Sequence, residues 1–215
     1  MAEVRGEPAL GLRERKKQRT RATLIDAAVE LCERQGFERT TVDQIAAIAD
    51  VSPRTFSRYF PTKDAIALAL IDEALELTAA ELARQPHDIS HFEALRRSYV
   101  AMYNGTKTTP PGGLSVDRMM CTVRIVLSSA ALRQAAVEFR PHPVTIELAK
   151  RMGVELYDRR LRLVAAVWAS IIMTALSDLG EGTDWTQVGI DDIITRLEAT
   201  FAEFMGEIEN ARHPV

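Results

Sequence analysis

Six cations and one carboxylate crowd residues 13–21, and a second group, Arg54, Thr55, Ser57, Arg58 and Tyr59, falls within six positions further along. These are side chains for holding a polyanion. An arginine can fork onto a guanine edge, while hydroxyls and a phenol can meet phosphate oxygens. The cationic character is local. Residues 1–63 carry 12 Lys/Arg against 9 Asp/Glu, whereas residues 64–215 carry 15 against 21, and the whole chain is −3. A basic segment on an acidic protein points to a local contact with a polyanion. The plain alternative is a solvated helix start.

Periodicity supplies the scaffold for these groups. Strand signals are nearly absent and apolar residues recur at helical spacing, so the chain reads as all-α. Leu24, Ala28 and Leu31, joined by Ile25 and Cys32, make one stripe of a helix expected at about 15–35. Gly36 is placed to end it in a left-handed cap, with Phe37 folding back. Thr41 and Gln44 have the spacing of a capping box, which opens a second helix of two turns. Asp50 and Val51 form a tight turn. Ser52 caps a third helix with Pro53 in its first position, where a missing N–H costs nothing. Phe56 and Phe60, four apart, face inward, which leaves residues 54, 55, 57, 58 and 59 facing out. Two short helices joined by a tight turn and entered from a longer one have the arrangement of a helix-turn-helix DNA reader. The alternative is a helical hairpin with incidental surface polarity.

Pro61 stops the third helix, and Thr62 caps a fourth that runs to about 84. Further helices are expected at about 90–104, 115–128, 130–139 and up to 152, separated by a Gly/Pro-rich loop at 105–113 and by Pro141 and Pro143. The last two are the longest. One spans about 156–179; the other carries Ile190, Ile194, Leu197, Phe201, Phe204 and Ile208 at alternating steps of four and three. That stripe and the apolar run 163–176 are what two helices need to form a four-helix bundle with a twofold mate. Val164, Trp168 and Ile171 would then meet Ile190, Ile194, Leu197, Phe201 and Phe204 at a dimer interface. Packing within one chain is the alternative.

Residues of about 15–70 resemble the N-terminal domain of the TetR family of bacterial transcriptional repressors. The residues carrying the resemblance are Ala27, Ala28, Leu31, Gly36, Phe37, Thr40, Thr41, Val42, Ile45, Ala46, Ala49, Val51, Ser52, Thr55, Phe56, Tyr59, Phe60 and Lys63. The resemblance implies double-stranded DNA as partner, bound as an inverted-repeat operator. It implies phosphate contacts for Thr41 and Tyr59, base and phosphate contacts for Arg54 and Thr55, and a groove-facing place for Ser57 and Arg58. Lys63 would pin the DNA backbone, and Arg15, Lys16 and Lys17 would reach the flanking groove. Two positions depart from the pattern: Asp50 stands where the family often has Gly, and Ser57 where a bulky aromatic is common. Gly6, Pro8 and Gly11 make residues 1–12 read as a disordered tail, and the resemblance implies a DNA-binding domain over 13–63 and a ligand-binding and dimerisation domain over 64–215. A helix over about 62–84 would join the domains as a lever. The segment 123–132, followed later by Trp168, is also similar to regulators thought to bind acyl-CoA-like ligands.

A small apolar effector needs a pocket. Met102, Met119, Met120 and Met173 are soft residues at helical positions that can fill a core or line such a site. Tyr103, Val123, Arg124, Phe139 and Trp168 are further candidates. No cofactor or metal is expected: His87 and His91 are four apart, but Pro86 and Asp88 place them by a loop and no third ligand is near. An enzyme is disfavoured, since no nucleophile elbow, phosphate-binding glycine loop or dinucleotide fingerprint occurs. A helical adaptor that dimerises without DNA is the other class. No apolar leader follows the N-terminus, the longest nearly apolar run has 14 residues, and Cys32 and Cys121 sit in apolar helical patterns. The expectation is a cytoplasmic homodimer with reduced thiols and no membrane contact.

Overall fold

A computed structural model of the protein describes residues 11–110, 112–128, 133–134, 138–180 and 182–212. The regular elements among them are all helical. The chain divides into two compact units, with the boundary between Ile66 and Ala67.

The first unit contains α1 (Leu12–Gln35), α2 (Val42–Ile48), α3 (Pro53–Tyr59) and the opening turn of α4 (Asp64–Ala83). Leu12 already belongs to α1, so the helix starts earlier than the tail expected over 1–12 allows; residues 1–10 lie outside the described set. At the other end Gly36 has φ 81° and ψ 153°, a positive φ without the left-handed helical ψ, and its N–H donates to the Cys32 carbonyl. Only glycine takes that conformation cheaply. Both halves of the capping box form. The Gln44 N–H donates to Thr41 Oγ1 at 3.2 Å, and the Thr41 N–H donates to Gln44 Oε1 at 3.0 Å. Asp50 sits at φ 50°, the left-handed region that Asp tolerates better than most residues. The Ser52 hydroxyl accepts the Thr55 N–H at 3.1 Å and so starts α3. Phe56 is fully buried and its ring lies 5.9 Å from that of Phe60, which anchors α3 from within.

The second unit is built from the rest of α4 with α5 (His91–Gly105), a short 3₁₀ turn (Thr106–Thr108), α6 (Val116–Ser128), α7 (Pro143–Met152), α8 (Arg159–Ala175) and α9 (Ile190–Arg212). The helix expected over 130–139 falls largely outside the described residues. α8 is shorter than its apolar pattern. The Asp158 carboxylate accepts the Arg160 N–H and sets the start, and after Ala175 the Ser177 and Leu179 N–H groups turn back onto the Thr174 and Leu176 carbonyls. Among the described residues no helix is long and apolar enough to cross a membrane.

The stripe on α9 packs within its own unit. Ile190, Ile194, Leu197 and Phe201 are buried in the core of their own unit, together with Trp168 and Ile171 of α8. Phe201 meets the Trp168 ring at 6.1 Å, and Phe204 meets Phe92 of α5 at 5.3 Å. Val164 and Phe204 are half-buried against the same core. A four-three repeat marks a buried seam without saying whether the partner is a neighbour in the chain or a second copy, and here α5 and α8 take the place. What α8 leaves exposed is a different line: Leu163, Ala166, Ser170 and Thr174, with Leu163 64% exposed.

Candidate nucleic-acid interface and ligand cavity

The first unit presents its cations along one surface. Arg15, Lys16 and Lys17 are exposed in the opening turns of α1, and Arg54, Ser57 and Arg58 are exposed on α3. The two groups converge at Tyr59. The phenol's pKa is lowered, first through its hydrogen bond with the Thr20 side chain and then by Arg58 and the charge of Lys17. The Arg58 guanidinium lies 5.3 Å from the Tyr59 ring centre, and that of Arg21 lies 5.3 Å from Phe60. An open groove of about 600 Å³ runs between the start of α1 and the α2–α3 turn, lined by Arg15, Lys16, Arg19, Thr20 and Thr23 opposite Val51. Arg19 belongs to the cationic run read from the sequence, whereas Thr20 and Thr23 were not singled out there. The signal was their spacing of four and seven from Lys16, which places them on its face of the helix.

Several predicted contact residues are already engaged. Thr41 spends its hydroxyl on the cap, Thr55 Oγ1 lies 2.9 Å from Ser52 Oγ, and the Ser57 hydroxyl donates to the Pro53 carbonyl at 3.1 Å. Lys63 differs most from expectation. Its ammonium donates to the carbonyls of Phe37 and Glu38, at 3.0 and 3.2 Å, and lies 4.8 Å from the Phe37 ring centre. It therefore ties the end of α4's approach to the α1–α2 loop. Charged hydrogen bonds of this kind are each worth about 1.5–3 kcal/mol. Lys63→Met is expected to lower the urea midpoint of the first unit by an equivalent of about 1–3 kcal/mol. An unchanged midpoint alongside weaker DNA binding would instead return Lys63 to the phosphate backbone.

The second unit contains a partly open cavity of about 190 Å³. Its walls are Ile71, Leu75 and Thr78 of α4, Tyr99, Met102 and Tyr103 of α5, Met119 and Val123 of α6, Leu148 of α7, and Trp168, Ile172 and Met173 of α8. Of the residues expected to line a pocket, Met102, Tyr103, Met119, Val123, Trp168 and Met173 lie on this wall. Three do not. Met120 is buried in the core instead, Arg124 stacks on Trp185 at 5.2 Å, and Phe139 packs edge-on against Tyr157 at 6.3 Å.

The lining also holds residues that the sequence did not mark: Tyr99, Thr78, Arg140 and His142. Burial pushes the Tyr99 phenol up to about 12 and that of Tyr103 upward as well. Burial, with the nearby Arg140 charge, pulls the His142 imidazole down to about 4, so it is neutral at pH 7. Among the described residues, Trp168 Nε1 and His142 Nδ1 are buried and have no hydrogen-bond partner.

Residues 24–70 match the family described as bacterial regulatory proteins, tetR family. The transcriptional regulator TcmR of Streptomyces glaucescens is 34% identical over 168 residues, which cover 75% of this chain and 73% of TcmR. The chain belongs to the TetR family. It is a DNA-binding transcriptional regulator, and the family's members are not enzymes. The regulator RutR of Escherichia coli K12 is 29% identical over 86 residues, 40% of this chain and 41% of RutR. Thermus thermophilus FadR, a TetR-family repressor solved with lauroyl-CoA, is 22% identical. It superposes with a TM-score of 0.48 over 85% of this chain and 91% of its own.

Proposed function

We propose that this TetR-family regulator is a homodimeric repressor of the cytoplasm that binds an inverted-repeat operator and leaves it when a small apolar molecule enters the cavity. The observation that carries the proposal is the course of α4. Its first turn belongs to the first unit, and its later turns supply Ile71, Ala74, Leu75 and Thr78 to the cavity wall. An occupant of the cavity bears on the same helix that leaves the reading head. Release then follows if the ligand prefers a head spacing that DNA does not.

On the operator α3 enters the major groove. Arg54 reads a base edge; Thr55, Ser57, Arg58 and Tyr59 hold the groove and its phosphates; Thr41 contacts phosphate from the start of α2; Arg15, Lys16 and Lys17 take the flanking backbone. The dimer forms across the face that α8 and α9 leave open, around Ala166, Val167, Ser170, Thr174, Thr200 and Phe204.

The test is a titration with DNA from upstream of the protein's own gene, together with a footprint. Two half-sites one helical turn or a small multiple apart are expected. Arg54→Ala should change base preference, at a cost of roughly 1–3 kcal/mol at one position. Tyr59→Phe should weaken binding to every sequence alike, since a phosphate contact carries no base information. A protected site without twofold symmetry, or a Tyr59→Phe effect confined to one base pair, would contradict these assignments.

A further inference from the structure

The cavity of the second unit is apolar apart from a few atoms, and most of those are occupied. The Thr78 hydroxyl donates to the Ala74 carbonyl and that of Thr122 to the Arg118 carbonyl, both at 2.8 Å. Thr145 Oγ1 donates to the His142 carbonyl and accepts the His142 N–H, both at 2.9 Å. Two atoms stand apart: Trp168 Nε1 and His142 Nδ1 belong to lining residues, are buried, and lack a partner among the described residues. The Tyr99 ring lies 5.4 Å from that of Trp168, and its hydroxyl feels the indole N–H without reaching hydrogen-bond geometry. Buried polar groups are normally paired, and an orphaned one asks for a partner.

We infer that the effector is an uncharged, ring-containing molecule that sets a carbonyl or ether oxygen against Trp168 Nε1 and a hydroxyl against His142 Nδ1. Each feature of the ligand follows from a separate observation. An indole N–H only donates, so its partner must accept. The imidazole is neutral, and Nδ1 donates in one tautomer and accepts in the other; a hydroxyl satisfies both. The cavity of about 190 Å³ is slightly larger than one that takes benzene, roughly 150 Å³, so one or two rings fit within it. Tyr99, Trp168 and the thioethers of Met102, Met119 and Met173 suit a ring face. The charged lining residues Glu138 and Arg140 are exposed and of opposite sign, so an ion drawn inside would lose its water without a buried counter-charge.

The inference rests on the reading of this cavity as the effector site, and it can fail separately from it. The free full-length protein is titrated by calorimetry with 4-hydroxyacetophenone, 4-ethylphenol and 4-hydroxybenzoate. The ketone is expected to bind at least about tenfold more tightly than either the ethyl analogue, which lacks the acceptor, or the anion. Trp168→Phe should abolish the preference for ketone over ethyl compound, and His142→Leu should abolish the preference for 4-hydroxyacetophenone over acetophenone.

Because Trp168 is a core residue, the wild-type protein gives a second readout. Of its two indole N–H resonances, that of Trp168 should move downfield with the ketone and not with the ethyl compound, while that of Trp185 stays. Equal affinities for ketone and ethyl compound, tighter binding of the anion, or no binding of either neutral compound at millimolar concentration overturns the inference. A ketone that binds with the expected preferences but leaves the protein on its operator upholds the ligand class and defeats the release mechanism instead.

Discussion

Leu197→Glu is expected to unfold the second unit rather than separate a dimer into folded subunits. Leu197 is 3% exposed and lies within the core formed by α5, α8 and α9. A carboxylate there has no counter-charge prepared for it, and burying an unpaired ion costs several kcal/mol even after relaxation. The lost leucine contacts and the cavity they leave add roughly 2–5 kcal/mol. Domains of this size are stable by only about 5–15 kcal/mol, so most of the margin disappears. Circular dichroism should show a melting temperature lowered by well over 10 °C, or no cooperative transition for this unit, and light scattering should show aggregates. A Leu197→Glu protein that melts like the wild type as a compact monomer would place Leu197 at a subunit seam and overturn the packing described for α9.

Ser170→Glu is expected to do the opposite: keep the fold and cost the dimer. Ser170 is exposed in the middle of the α8 line, and its hydroxyl only donates back to the Ala166 carbonyl. In a free subunit the new side chain is solvated, and such surface changes fall within about 0.5 kcal/mol. In the proposed dimer the same position lies in the seam, beside Glu203 and Glu207 of the groove and close to its own twofold mate. Like charges buried there repel and lose their water together. Light scattering should report a monomer with an unchanged melting temperature in a dilute sample. Operator affinity should fall by about 10²–10⁴-fold, because two linked heads dock with a high effective concentration and single heads do not. A variant that remains a dimer at micromolar concentration would move the interface off this face.

The reading head was almost fully legible from the sequence, because what builds it is local. The capping box at Thr41 and Gln44, the Asp50 turn, the Ser52 cap and the Phe56–Phe60 pair each involve residues a few positions apart, so type and spacing decide the outcome before any distant contact forms. The resemblance to the TetR family was carried by the same stretch, and the relative matched over 168 residues establishes the membership. Lys63 shows where locality ends: its partners lie 25 and 26 residues earlier, and only the packed unit brings the Phe37 and Glu38 carbonyls to its ammonium.

In the second unit the sequence marked which segments are helical, which residues are apolar and six of the residues on the cavity wall, but not which neighbour covers each apolar face. α8 is apolar around most of its circumference, and α9 carries a seam that fits either a neighbour in the chain or a second copy. Hydrophobic burial is non-directional, so periodicity states that a face is covered without naming the cover. Tertiary packing made the choice. It spent Ile190, Ile194, Leu197 and Phe201 on the protomer's own core, sent Met120 into that core and Arg124 onto Trp185, and turned Met102, Met119 and Trp168 toward a cavity. It also brought Trp168 Nε1 and His142 Nδ1 to that cavity without partners, from positions 26 residues apart. Whether a buried polar atom is satisfied depends on every neighbour in three dimensions, which no spacing along the chain encodes.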